Sequence, residues 1–322
     1  MSALSRRPWI AGLVLVAALL AAPFVLSMYG VIILTEILTM SLFAMSFNLL
    51  FGYTGLLSFG QAGFFGAGGY FAVLTLLHGP QSLWAALAAA MLGSALLALA
   101  IGWFCVRLDE IYFAILTLGF GMMLFTVAHN WRSVTGGSDG LGSFSIPEVS
   151  LFGSQFSLFN PKNFYFLVLF VVVLGVLLLM RVVGSPFGLL LKATRENSNR
   201  VAFVGANVRS VRLFAFVVAG ALAGVGGALF ALFNRIASPE MLHWAFSGKA
   251  VLMTILGGSG VLLGPAVGAA IFFVLEHLIT AFTTNWMIFL GAILVVLVLL
   301  FPKGVLGSAL DLAGRSRRGR NP

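Results

Sequence analysis

The sequence predicts an all-α, polytopic integral membrane protein of about ten transmembrane helices, some of them short or interrupted. Three observations predict it. Of 322 residues, 61% are hydrophobic and 8% charged, with a mean hydropathy of +1.09, more apolar surface than a soluble domain of this size can hide. Apolar runs near the ~20 residues that cross a bilayer core recur along the chain. The stretches between them are too short to hold a soluble domain, so a single transmembrane domain is expected over 1–322.

The first run, 9–27, follows Arg6 and Arg7 as a signal peptide would. It is longer than a typical signal core and more spans follow, so it reads as a retained helix. Further spans are expected at 30–50, 61–78, 83–106, 111–130, 163–183, 212–234, 246–257, 264–281 and 285–301, the eighth being short. Between the fifth and sixth, 131–163 is rich in Gly, Ser and Asn, with Pro147, Pro161 and small apolar patches at Ile146, Val149, Leu151 and Phe152. A hairpin or partner-docking loop and a solvated turn are both open readings of it. A basic tail, 303–322, closes the chain.

Charge orients this path. With the N-terminus inside, ten crossings return the C-terminus inside. Of the 18 Lys and Arg, fourteen then fall inside and four (Arg132, Lys162, Arg235, Lys249) outside. Basic residues concentrate on the cytoplasmic side of membrane proteins, so both termini are expected there. The net charge of +9 is this bias and not a nucleic-acid footprint. The lone cysteine, Cys105, excludes an internal disulfide.

Two glycine-rich segments break the apolar pattern. Gly52 to Tyr70 holds seven glycines within 52–69, and glycine costs a helix ~1 kcal/mol relative to alanine. Gly60, Gly63 and Gly66 recur every third residue and clear a face for a neighbouring helix. Gly55 and Ser58 suggest an interrupted helix, which lipid tolerates only inside protein or beside a water-filled cavity. The second segment, Gly257 to Gly268, contains Gly258 and Gly264-Pro265 and also opens a new span on the same side. Paired interruptions of this kind mark a translocation route, so Gly55, Ser58, Gly60, Gln61, Gly63, Gly258 and Gly264 are its candidate residues; simple close packing is the competing reading. Gly220, Gly224 and Gly227 with Ala223 read as a helix-packing face.

A polar island interrupts the second half. Five Lys or Arg lie within 192–212, more than a turn between spans requires. Ser185 suits an N-cap, Pro186 the first helical position and Gly205 a stop. One helix of about five turns is expected between them, offered to a cytoplasmic partner.

Chemistry is otherwise sparse. Glu36 and Glu276 are intramembrane carboxylates, each needing a partner, water or a proton. His78, His129, His243 and His277 show no metal-ligand spacing. No phosphate-binding G-x-x-x-x-G-K-[ST] loop occurs; Gly248-Lys249-Ala250 is a fragment lacking the hydroxyl. No catalytic residues, metal or cofactor are expected, and the chain is not read as an enzyme. An ion-coupled secondary transporter is the alternative of another class, and two intramembrane carboxylates are few for it.

The chain resembles the LivM-like permease subunits of branched-chain amino acid ABC importers over about 28–305. The resemblance rests on Asn48-Leu49-Leu50 leading into Gly55–Gly63; on Tyr112–Leu118 and Thr135–Leu141; on Ser185-Pro186-Phe187-Gly188, Arg195-Glu196-Asn197, Gly205 and Asn207-Val208-Arg209; and on Gly257-Gly258 through Gly264–Ala269. It implies an all-helical pore subunit of a bacterial inner membrane. The implied partners are a second related permease, two cytoplasmic ATPases and a periplasmic or lipid-anchored binding protein, with 131–163 as a periplasmic loop. It makes 185–209 the cytoplasmic coupling loop, with Arg195, Glu196, Asn197, Arg200 and Gly205 as ATPase-coupling residues. Ser198 stands where the family commonly carries an acidic residue. The implied cargo is a branched-chain or similar apolar amino acid; urea, short amides and aromatic acids are the alternatives.

Overall fold

The structure, a computed structural model, describes residues 8–108, 110–147, 149–151, 154–283, 285–309 and 311. Arg6, Arg7, Phe152 and the basic tail beyond 311 lie outside the described residues. Ten apolar helices stand where the sequence places spans: α1 (Pro8–Val25), α2 (Met28–Thr54), α3 (Gln61–His78), α4 (Leu83–Cys105) and α5 (Glu110–Asn130), then α7 (Pro161–Gly184), α10 (Val208–Asn234), α11 (Trp244–Gly257), α12 (Gly264–Thr280) and α13 (Trp286–Leu300). Between these lie the short α6 (Arg132–Thr135), α8 (Pro186–Glu196) and α9 (Ser198–Phe203). Among the described residues, six stretches are long and apolar enough to cross a membrane: α2, α4, α5, α7, α10 and the C-terminal Ile288–Ala309. α1, α11 and α12 yield shorter apolar stretches, and α3 is glycine-rich, as an interrupted or short helix should be.

Local chemistry sets the ends. Ser27 caps α2, Asn160 caps α7 with Pro161 following, and Asn207 caps α10, each side-chain oxygen accepting a backbone N–H of the first turn. α2 continues past the expected residue 50 to Thr54, where Gly55 ends it in the left-handed region at φ +78°. Its many hydroxyls do not break it. Thr35, Thr39, Ser41 and Thr54 each donate to a carbonyl one turn back and so cross the apolar layer satisfied.

α10 is the axis of the bundle and packs on α3, α4 and α2. Small residues allow the approach: Gly224 faces Ser94 of α4 and Gly68 of α3, and Gly227 faces the Phe65 backbone. The packing reading of Gly220, Gly224 and Gly227 is therefore the observed one. The aromatic layer Phe43, Phe65, Phe230 and Phe246 fills the space between α2, α3, α10 and α11. α7 packs on α2, and α11 and α12 pair with each other and with α2. Cys105 is buried with a free thiol.

The segment between α5 and α7 is more ordered than a solvated turn. It holds α6, a 3-10 turn at Gly137–Asp139 and an antiparallel hairpin of β1 (Val149–Leu151) and β2 (Ser154–Phe156). Leu141 bridges to Ala237 beyond α10, so this segment lies at the end of the bundle opposite α8.

Candidate functional site

The two glycine interruptions meet at the C-terminal end of α2. From Gly55, residues 55–58 have no regular structure and a turn at 59–60 leads into α3. The N–H groups of Leu57, Ser58 and Phe59 make no hydrogen bond among the described residues. This break is deep. Gln61, the first residue of α3, donates to the Ala219 carbonyl at 3.1 Å. That carbonyl lies eleven residues into α10 (219 − 208), about 16 Å along it at 1.5 Å per residue. Gly60 abuts the Thr117 carbonyl of α5, and Gly63 faces Gly121 and Leu124. Gly66 turns instead to Leu242, in the 3-10 turn Pro239–Leu242. The three-residue glycine spacing thus serves two neighbours rather than one.

Polar side chains gather around this break. Gln61 Nε2 is 3.4 Å from Ser46 Oγ, and Ser247 Oγ accepts the Ala62 N–H at 2.8 Å. Asn48 Nδ2 reaches the Val261 carbonyl at 3.5 Å. Asn48 Oδ1, Ser58 Oγ and Gln61 Oε1 are buried without a hydrogen-bond partner among the described residues. Left unpaired, such atoms cost folding free energy, about 1–3 kcal/mol each, and buried polar groups of this kind are ordinarily met by water, an ion or a ligand.

The second interruption packs by backbone. Gly258 is left-handed at φ +104°, and a methyl there would strike the Lys303 carbonyl. Gly264 abuts Gly257 and Gly258, Gly268 abuts the Met253 carbonyl, and Gly304 closes on Gly258. Gly52 faces the Ser259 carbonyl, which joins this knot to α2. Gly258 and Gly264 therefore lie with Gly55 at one end of the bundle. Gly60, Gln61 and Gly63 lie deeper, against α5 and α10.

The polar island is two helices, not one of five turns. Asn197 leaves the helical region at φ −161°, ends α8, and caps α9 by accepting the Arg200 N–H at 3.0 Å. Asparagine competes for its neighbours' backbone, and this favours a cap over a helix interior. Gly205, at φ +90°, terminates α9 as expected. Arg195 is exposed and also reaches inward. Its Nη1 donates to the Gly52 carbonyl of α2, its Cγ lies beside Gly55, and Lys192 stands 5.5 Å over the Tyr53 ring. Glu196, Asn197 and Arg200 are exposed and line a shallow groove of about 480 Å³ with Leu190, Val201 and Val204. Phe203 and Val204, which sequence reading passed over, are 90% and 88% exposed beside it.

The intramembrane charges gather near the opposite end. Lys249, expected outside, lies in α11, and its Nζ is 3.4 Å from Glu276 Oε1 of α12. Glu36 shares the electrostatic neighbourhood of His277, Glu276 and Lys249. A pair 27 residues apart across two helices leaves no local sequence signal.

Comparison with known proteins agrees with this architecture. The chain matches, over residues 29–298, the family described as the permease component of branched-chain amino acid transport systems. It is 31% identical over 319 residues to the permease protein LivM of the high-affinity branched-chain amino acid transport system of Escherichia coli K12, covering 91% of this chain and 74% of that one. It is 29% identical over 327 residues to LivM of Salmonella typhimurium, covering 95% and 76%. Similarity extends to the permease protein LivH of the high-affinity branched-chain amino acid transport system of Salmonella typhimurium, 27% over 292 residues, covering 84% and 91%. No solved structure matches.

Proposed function

The chain belongs to the permease component family of branched-chain amino acid transport systems, and from that premise we propose that it forms half of an importer's pore, passing a branched-chain or similarly apolar amino acid into the cytoplasm. The observation that carries the reading is the break at Gly55–Gly60: free N–H groups and partnerless Ser58 and Gln61 oxygens at membrane depth. Lipid does not tolerate such groups, and a water-filled route does. A zwitterion carries no net charge, so its route needs donors and acceptors but no ring of fixed charge. Weak, separate hydrogen bonds let a ligand pass without trapping it.

Energy enters at the α8 end. The positive-inside bias places this end in the cytoplasm together with both termini. ATPase subunits meet the exposed face of Glu196, Asn197, Arg200, Phe203 and Val204. Arg195 adds a second role to the docking one its sequence position suggests. It ties α8 to the last turn of α2 directly before the break, and Lys192 on Tyr53 seconds it. Motion imposed on α8 is thereby delivered to Gly55. The partner in the membrane is a second, related permease. The ordered segment 131–163, at the opposite end, receives a binding protein. The 1–322 chain works as one transmembrane domain.

Uptake of radiolabelled leucine, isoleucine and valine in a deletion strain tests the cargo, with urea and a short amide as controls. Loss of amino-acid uptake, restored by the gene, is expected. Unchanged uptake of all three with loss of a control overturns it. Phe203→Asp with Arg200→Glu should leave the protein inserted and reduce ATPase co-purification; wild-type recovery of ATPase would reject this face as the dock.

A further inference from the structure

A groove of about 570 Å³ opens between the last turn of α7 and the first turns of α8 and α10. Val182, Phe187, Val211 and Phe214 form its apolar walls, and Arg181, Ser185 and Ser210 are its polar groups. Phe187 and Phe214 meet edge to face with centroids 4.9 Å apart, which makes one wall a continuous aromatic surface. Phe214 is half exposed, as are Leu174 and Leu177 on the flank of α7. The groove therefore sits where lipid-facing helix surface gives way to the polar end of the bundle.

Its polar groups are unevenly engaged. The Ser185 hydroxyl donates to the Val182 carbonyl at 2.7 Å and accepts the Gly188 N–H at 3.4 Å. The Arg181 guanidinium and the Ser210 hydroxyl have no hydrogen-bond or ion-pair partner among the described residues. No acidic side chain lines the groove. The N-termini of α8 and α10 open beside it with partial positive charge, the C-terminus of α7 with partial negative charge beneath Arg181, and Arg209 adds a full positive charge in the first turn of α10.

We propose that this groove binds an anionic phospholipid. The headgroup phosphate sits against Arg181 and the Ser210 hydroxyl, and an acyl chain lies on the Phe187–Phe214 wall. Basic pockets at the cytoplasmic ends of membrane helices recognise acidic headgroups in this way. The two halves of the site exclude the simpler occupants. Inorganic phosphate would leave the aromatic wall wet, and a lipid without net charge would leave the cationic rim uncompensated. Because Ser185 caps α8, a bound lipid also steadies the first turn of that helix.

The test uses the whole assembled transporter with wild-type or R181E chain, purified in detergent and analysed for retained phospholipid. Phosphatidylglycerol should be retained over phosphatidylcholine by the wild type and by R181K. R181E should lose that preference by roughly fivefold or more, the effect of about one interfacial basic charge. Equal preference in R181E overturns the proposal. A second measurement does not depend on R181E assembling. In F214W, the added emission, read as a difference from the six native tryptophans, should be quenched by brominated phosphatidylglycerol more than by brominated phosphatidylcholine. Equal quenching removes the headgroup selectivity and overturns it. No quenching by either lipid assigns the groove to a protein neighbour, and abolition of the quenching by millimolar phosphate assigns it to the free anion; both overturn it.

Discussion

Gly55–Gly60 and Gly257–Gly264 are alike in sequence and opposite in physics. Each is a glycine-rich interruption holding one serine, and each opens a helix at the C-terminal end of α2. In the second, glycines meet backbone: Gly257 faces Gly264, Gly268 faces Met253, and Gly304 faces Gly258. Gly257, Gly258 and Gly264 are there because no Cβ fits, whereas Gly260 has open space. In the first, Ser58 and Gln61 are buried with partnerless oxygens, and Gly55 leans on an arginine from the coupling segment. Gly60 there also meets backbone, at the Thr117 carbonyl, while the N–H groups of Leu57, Ser58 and Phe59 stay free among the described residues. One interruption is a backbone joint, and the other adds buried polar oxygens without a partner among the described residues.

The largest effect should come from the joint. Gly268→Ala places a methyl into the Met253 carbonyl, and neither backbone can retreat without opening the α11–α12 contact. A loss of about 3 kcal/mol or more is expected, at or beyond the usual range for overpacking, read as failed insertion or a lowered melting temperature in detergent. Gly63→Ala meets only Leu124 Cδ1 at 3.1 Å and the Gly121 Cα at 3.4 Å, and the leucine can turn aside. It should fold, with impaired uptake. Equal stability of the two variants would erase the distinction.

Arg195→Ala should come next. The link to Gly52 joins α8 to the break, while the exposed groove is left intact. ATPase should still co-purify and hydrolyse ATP, and uptake should fall about tenfold, the equivalent of ~1.4 kcal/mol of lost coupling. Loss of ATPase binding instead would return Arg195 to the docking face. Arg195→Lys should not rescue, because an ammonium lacks the planar reach of the guanidinium.

These two regions also show what a sequence can carry. Spans were legible because hydropathy is a local sum, and each expected run holds an apolar helix. The end of α2 lies four residues past the expected 50 because Gly52, Tyr53 and Thr54 lower hydropathy without breaking the helix, the Thr54 hydroxyl donating back to the Leu50 carbonyl. The break at Asn197 was written in its residue type, and a pattern read for one continuous helix passed over it. The direction of Arg195 was not written locally at all. Its partner is a carbonyl 143 residues away, next to the residue pair where α2 ends. The Lys249–Glu276 pair fails for the same reason. Glycine content marked both interruptions and could not tell them apart, since what a glycine admits is decided by the neighbour that approaches it.

The smallest effect is the most discriminating, because stability and function should move in opposite directions. Ser58 Oγ is buried with no partner, so the folded protein bears its desolvation without return. Ser58→Ala removes the hydroxyl and leaves a methyl that fits the same space. Stability should rise by about 1 kcal/mol, seen as a higher melting temperature in detergent. If the oxygen is held for a passing ligand, the same change removes one hydrogen bond from the route. Uptake should then need about three- to tenfold more ligand for half-maximal rate, the worth of one such bond. Ser259, in the other interruption, is partly exposed, and Ser259→Ala should change neither quantity. A Ser58→Ala protein that is stabilised and transports normally would make the hydroxyl a packing defect. One that is destabilised would mean that water already satisfies it, and the break would still be wet but not by way of the ligand.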